Sequence, residues 1–149
     1  MERQPALCRA MQIRPFRDSD EAAVIALWEA AGLTRSWNDP RKDIERKRSV
    51  QPEWFLVGTV GEAVMASIMI GYDGHRGWIN YLAVEAAHRD QGHARTLMRE
   101  AERLLAAAGC PKINLQIRSA NASVIAFYEA IGYAQDDVVS FGRRLIADE

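Results

Sequence analysis

Trp78-Ile-Asn-Tyr-Leu-Ala-Val84, the connector Glu85-Ala-Ala-His88 and the following Arg89-Asp-Gln-Gly-His-Ala94 decide how this chain folds. The first run is short and apolar and reads as a strand. From Ala94 a helical pattern begins, with Ala94, Leu97, Met98, Ala101, Leu104, Leu105 and Ala108 on one stripe. Gly109 stops it and Pro111 confirms the stop. A strand, a glycine-containing turn and a helix in that order can hold a phosphate. The first helical turn offers unpaired N–H groups and the positive end of the dipole. Gly92 lets backbone approach a ligand closely, and Arg89 adds a permanent charge with a planar donor fork.

Working outward, Gln12-Ile-Arg-Pro-Phe16 alternates as a first strand, and Pro15 suits an edge position. Asp18 and Asp20 are cap candidates for a helix over residues 21–31, with Val24, Leu27, Trp28 and Ala31 on one face. After Trp37-Asn-Asp-Pro40 a second helix is expected over residues 41–50. Residues 39–48 hold five basic side chains against three acidic ones, which favours a solvated helix laced with ion pairs over a cover for a groove. Strands follow at residues 54–60 and 63–72, joined by a tight turn at Gly61-Glu62. The second of them is almost continuously apolar, as a strand covered on both faces is. Lys112-Ile-Asn-Leu-Gln-Ile-Arg118 alternates strictly as a fifth strand, and a short helix over residues 122–131 ends at Gly132. Residues 133–135 and 138–146 read as a terminal hairpin whose edge is open to pairing in a homodimer.

The chain has 149 residues, 48% hydrophobic and 26% charged, which suits one soluble domain. The patterned region, residues 11–149, is read as that domain, and residues 1–10 as a flexible extension. A net charge of −1 gives no pull toward nucleic acid or membrane. No apolar run reaches the length of a bilayer span. Cys8 and Cys110 make no disulfide framework, so a reducing cytoplasm is the expected setting. His75, His88 and His93 lack metal-ligand spacing, and no metal is expected.

The pattern Arg89-x-x-Gly92-x-Ala94 resembles the [Arg/Gln]-x-x-Gly-x-[Gly/Ala] signature of the GNAT N-acetyltransferase superfamily, which binds the pyrophosphate of acetyl-coenzyme A. Downstream, Asn121-Ala-Ser-Val-Ile-Ala-Phe127-Tyr128-Glu129-Ala-Ile-Gly132-Tyr133 resembles a second element of that superfamily. Trp37-Asn-Asp-Pro40, Gly71-Tyr-Asp-Gly-His-Arg-Gly77 and Gly109-Cys-Pro-Lys112 are similar to its YpeA-type bacterial subgroup.

The resemblance implies an α/β fold. A mixed sheet of about six or seven strands, flanked by about four helices, would be splayed between its fourth and fifth strands to admit the cofactor. It implies acetyl-coenzyme A as cosubstrate, bound by Leu82, Ala83 and Val84, by the loop Arg89, Asp90, Gln91, Gly92, His93, Ala94 and Arg95, and by Asn121 and Phe127. Asn121 also suits a helix cap.

Acetyl transfer from a thioester to an amine needs a deprotonated amine, a stabilised carbonyl oxygen and a proton for the leaving thiolate. Tyr128 matches the superfamily's general acid, although a core tyrosine beside Phe127 is the plain alternative. Trp78 stands where several relatives carry a glutamate base. His75, Asp73, Glu85 and residues of the Trp37-Asn-Asp39 loop are the candidate bases that remain, and water-mediated deprotonation is compatible as well. The acceptor wall is expected to use Trp28, Trp37, Asn38, Asp39, Tyr72 and Tyr81, around a small-molecule or peptide amine. A coenzyme A-binding regulatory module with little catalysis is the alternative that the missing glutamate keeps open. A generic nucleotide fold lacks its Gly-x-x-x-x-Gly-Lys motif here.

Overall fold

The structure, a computed structural model, describes residues 10–148. The extension expected over residues 1–10 falls, except for Ala10, outside them. Five strands form one sheet in the order β1 (Gln12–Pro15), β2 (Phe55–Val60), β3 (Ala63–Tyr72), β4 (Gly77–Val84), β5 (Ile113–Leu115). The first four pair antiparallel, and β5 lies parallel to β4. A parallel neighbour requires a crossover. That crossover contains α3 (His93–Ala107), whose buried stripe is Leu97, Met98, Ala101 and Leu105. Gly77 allows the close packing there, since a Cβ on it would stand 2.8 Å from Leu105 Cδ1.

The other helices are α1 (Glu21–Ala30), α2 (Pro40–Arg48) and α4 (Ala122–Ala130). Alternation along the strands divides the core in two. Leu56, Ile68, Ile70 and Ile79 pack with α3 and with Tyr128 of α4. Phe55, Val57, Met69 and Ala83 pack with Val24, Leu27 and Trp28 of α1 and Ile44 of α2. Pro15 does lie in an edge strand, and β3 is buried from Met65 to Ile70. The mixed α/β fold stands as expected, with a smaller sheet. Among the described residues, no helix is long and apolar enough to cross a membrane.

The terminal hairpin does not form. Residues 133–148 carry no strand, and β5 stops at Leu115 instead of Arg118. The Asp136-Asp137 pair is a poor strand former. Asp136 takes side-chain bonds from Lys112 Nζ (2.9 Å) and Asn114 Nδ2 (2.8 Å), and Ser140 takes one from Gln116. Side chains thus tie the segment beside β5 where a backbone ladder was expected. Val138, Val139, Phe141, Leu145 and Ile146 are left exposed, and the proposed hairpin edge for a homodimer is absent.

One irregularity positions everything that follows. Ser67 pairs with Ala83 but Met69 pairs with Asn80, so Tyr81 and Leu82 of β4 together oppose the single residue Ile68. This is a β-bulge, and it puts Tyr81 at φ 52° in the left-handed region. A bulky residue there is strained and must be held by its surroundings. Two buried groups hold it. The Trp28 indole N–H donates to Ser67 Oγ at 2.9 Å, and Ser67 Oγ–H donates to the Tyr81 carbonyl at 2.8 Å. The Trp28 and Tyr81 rings stack at 3.7 Å. Ser67→Ala orphans a buried donor and an acceptor, so we expect a loss of about 1–3 kcal/mol in urea denaturation. A change within about 0.5 kcal/mol, the range of an inconsequential substitution, would show that the bulge holds without this chain.

Candidate functional site

The β4–β5 ladder covers only Gly77–Ile79 and Ile113–Leu115. Beyond it the two strands part, which is the splay the resemblance implied. A groove of about 1170 Å³ opens in the gap. One wall carries Ile79, Asn80, Tyr81 and Leu82, and the other carries Leu115 through Ser119 and then Asn121, Val124 and Tyr128. Its far end is closed by the loop before α2 and by α2 itself.

Tyr128 reaches this groove from α4, with its ring packed edge-to-face against Phe127 (5.0 Å) and Tyr133 (5.7 Å). Its hydroxyl bonds to none of the described residues, and no fully covered polar side-chain atom among them lacks a partner, so the oxygen opens onto the groove. Burial pushes this hydroxyl up to about 12, so it stays protonated at neutral pH. Asn121 lines the groove and also caps α4, accepting from Val124 N–H at 3.3 Å. Both roles weighed for Asn121 are geometrically compatible. Phe127 is half-buried in the core behind Tyr128.

The loop before α3 suits a pyrophosphate. Asp90 (φ 61°) and Gly92 (φ 80°) are both left-handed, which turns successive amides outward. α2 and α4 have side-chain caps from Asp39 and Asn121, but Gly92 has none to offer α3. The N–H groups of residues 90–95 donate to no described acceptor. That is a row of orphan donors at the positive end of a long helix. Gln91 accepts or donates at His93 Nε2 (3.1 Å), so both side chains stay local while their amides face outward. Ala94 and Arg95 continue the first turn. Arg89 is partly committed, because its Nε donates to the Val84 carbonyl at 3.2 Å. Leu82 lines the groove, whereas Ala83 is buried against α1 and Val84 is half-buried against the opposite core. Neither of those two side chains lines the groove.

The acceptor side needs more correction. Trp37, Asn38 and Tyr81 line the groove as expected. Trp28 does not. It is fully buried beneath Tyr81, where its indole fixes the bulge. Tyr72 packs on the core of the opposite face, and Asp39 caps α2 through Arg41 N–H (2.9 Å). The base candidates are misplaced too. His75 sits in the exposed turn before β4 and does not line the groove, and its N–H is tied to Asp73 Oδ1 (2.8 Å). Glu85 is exposed beyond the last residue of β4, 3.9 Å from His88 Nε2.

Sequence reasoning overlooked Asp43. The Tyr81 hydroxyl donates to Asp43 Oδ2 at 2.6 Å, Asn38 Nδ2 donates to the same oxygen, and Arg46 holds Oδ1 at 2.9 Å. Burial, then Asp43, push the Tyr81 hydroxyl well above the ordinary phenol range. Lys47, also overlooked, is buried and donates to the Ile70 carbonyl, and burial pulls its ammonium below the usual lysine value. Arg46 further pairs with Asp148, whose carboxylate also accepts from Asp39 N–H at 2.9 Å. The chain end therefore reaches from β5 to α2. Among the described residues no three His, Cys, Asp or Glu side chains converge as a metal site would need.

With this geometry in place, the class follows. The profile of the Acetyltransferase (GNAT) family matches residues 17–133, and the chain belongs to that family. Its relatives include an acetyltransferase of Yersinia enterocolitica, 48% identical over 139 residues, covering 93% of this chain and 99% of that protein. An acetyltransferase of Sodalis glossinidius is 50% identical over 140 residues, with the same coverage of 93% and 99%. Among solved structures, Ard1 from Thermoplasma volcanium is similar with a TM-score of 0.75 at 26% identity, covering 84% of this chain and 83% of that one.

Gly92→Val strains a left-handed position by about 1–2 kcal/mol, so we expect acetyl-coenzyme A affinity to fall about tenfold in calorimetry. Gly74→Val, at φ +89° in the turn before β4, is the matched control and should leave affinity unchanged. Equal losses in both would place the pyrophosphate elsewhere.

Proposed function

We propose that this acetyltransferase moves acetyl from acetyl-coenzyme A directly to the primary amine of an acceptor held at the α2 end of the groove. The observation that carries this reading is the Tyr128 hydroxyl, unbonded and open to the gap between β4 and β5, across from the bulge at Tyr81 and Leu82. When bound, acetyl-coenzyme A supplies the activated acetyl group as a thioester. The outward amides of residues 90–95 anchor its pyrophosphate. Tyr81 and Leu82 break the β4 ladder, so main-chain groups at the bulge are available to orient the arm and polarise the carbonyl.

Tyr128 donates a hydrogen bond to the sulfur as negative charge develops there. Full proton transfer from a phenol at about 12 to a thiolate near 8.5 would be uphill by roughly 5 kcal/mol. The hydroxyl therefore works chiefly as a preorganised donor, and the proton released by the amine neutralises the thiolate. Among the described residues we assign no side chain as a dedicated base. Tyr81 is held protonated by Asp43, and Asp43 is itself fully engaged by Tyr81, Asn38 and Arg46. Water in the groove takes the amine proton.

Thiol release from acetyl-coenzyme A over an amine panel tests the class directly. No release with any amine would remove acetyl transfer to nitrogen from consideration. Tyr128→Phe should lower kcat about 10- to 100-fold with little change in cofactor affinity, and equal turnover would remove Tyr128 from the chemistry. The pH profile separates the base candidates. Because Tyr128 stays protonated below about 12, no falling limb should appear up to about pH 11. The rising limb should track the amine pKa of each acceptor. A limb fixed near pH 6–7 for all acceptors would reinstate a histidine base.

A further inference from the structure

The groove's charge is unbalanced at the acceptor end. Four cationic side chains line it, Arg35, Arg46, Lys47 and Arg118, against one carboxylate, Asp43. That carboxylate is saturated by three donors from within the chain. Arg46 is neutralised by Asp43 and Asp148, Lys47 is spent on the Ile70 carbonyl, and Arg35 donates to the carbonyls of Gly32 (2.7 Å) and Thr34 (2.8 Å). Arg118 differs from all three. It is exposed at the groove wall just past β5, its guanidinium lies 5.6 Å from the centroid of the Trp37 ring, and among the described residues it has neither a carboxylate partner nor a hydrogen-bond acceptor. The aromatic face steadies the guanidinium without using up its N–H donors. A planar fork held in that way recognises carboxylate or phosphate oxygens.

We propose, resting on the acetyl-transfer reading above, that the acceptor is a primary amine carrying an anionic oxygen group on the same molecule, carboxylate or phosphate, and that Arg118 reads that group. Polycationic acceptors such as polyamines and aminoglycosides meet like charge at this wall and, among the described residues, no free carboxylate to offset it. The same excess of positive charge disfavours the ammonium form of a bound amine, which supplies part of what a dedicated base would otherwise do.

Thiol release by the full chain is to be compared for pairs of similar amine basicity. γ-Aminobutyrate against butylamine reads carboxylate, and phosphoethanolamine against ethanolamine reads phosphate, with spermidine as the polycation. At least one anion-bearing member should exceed its neutral partner tenfold or more in kcat/KM. The pair that does so identifies the group. Arg118→Ala should collapse that ratio toward one by raising KM, and Arg118→Lys should restore part of it. A preference for the neutral amines or spermidine, or a ratio unmoved by Arg118→Ala, overturns the proposal. If no amine releases thiol while acetyl-coenzyme A still raises Tm, the acetyl-transfer reading has failed separately. In that case γ-aminobutyrate or phosphoethanolamine must still raise Tm of the native chain more than of Arg118→Ala, and equal shifts overturn the anion site itself.

Discussion

A left-handed tyrosine in the middle of a sheet strand is the constraint on which the groove depends. Without the bulge at Tyr81 and Leu82, β4 would continue its register with β3 past Asn80, and Tyr81 would not present its ring to Trp28 and its hydroxyl to α2. The conformation is unfavourable by itself, so it persists only because its carbonyl is caught. The catch is a two-step chain through the core, from the Trp28 indole to Ser67 to Tyr81. It binds α1, β3 and β4 into one unit. The Tyr81 hydroxyl then extends the chain to Asp43 and so to Arg46 on α2. Two sets of polar contacts, joined by the Tyr81 side chain, thus link the buried centre of the sheet to the α2 end of the groove.

The groove and the loop before α3 offer different chemistry. At the loop before α3 the free donors are backbone amides, arranged by left-handed φ values at Asp90 and Gly92 and by the lack of a capping side chain. At the α2 end of the groove the walls are side chains, drawn from the loop before α2, from α2, and from the segment after β5. Backbone donors accept one ligand whatever the surrounding sequence. Side-chain walls change with each substitution, so the acceptor is where members of one family can diverge.

That division also explains what was legible in the residues. Gly92 and the helix pattern after it are local signals, and so are Asn121 and Tyr128 within one short helix. The places of the first four strands along the chain and the edge position of Pro15 followed from alternation and turn chemistry. The splay did not, because it arises where two strands distant in sequence stop pairing, and it was expected only through family resemblance. The acceptor wall fared worst. Trp28 looked like a recognition aromatic, yet helical periodicity had already put it on the core face of α1, and that was the sounder cue. Asp43 was hidden in a helix whose mixed charges suggested a solvated surface. Ser67 left a usable signal, as a hydroxyl in an otherwise apolar stretch that must find a partner when buried. The terminal hairpin failed because apolar residues at 138–146 imitate a strand, while Asp136 is captured by Lys112 and Asn114 through side chains.

The indole of Trp37 gives this protein an optical handle on its own groove. Of the other tryptophans, Trp28 is sealed beneath Tyr81, Trp54 is packed on the core, and Trp78 is bonded to Asp73 through its ring nitrogen at 3.2 Å. None of these three lines the groove. Trp37 is 54% exposed and lies under the Arg118 guanidinium. Whatever engages Arg118 must shift the charge above that ring, and tryptophan emission responds to nearby charge. Occupancy of the groove beside Arg118 is therefore coupled to fluorescence without any added label.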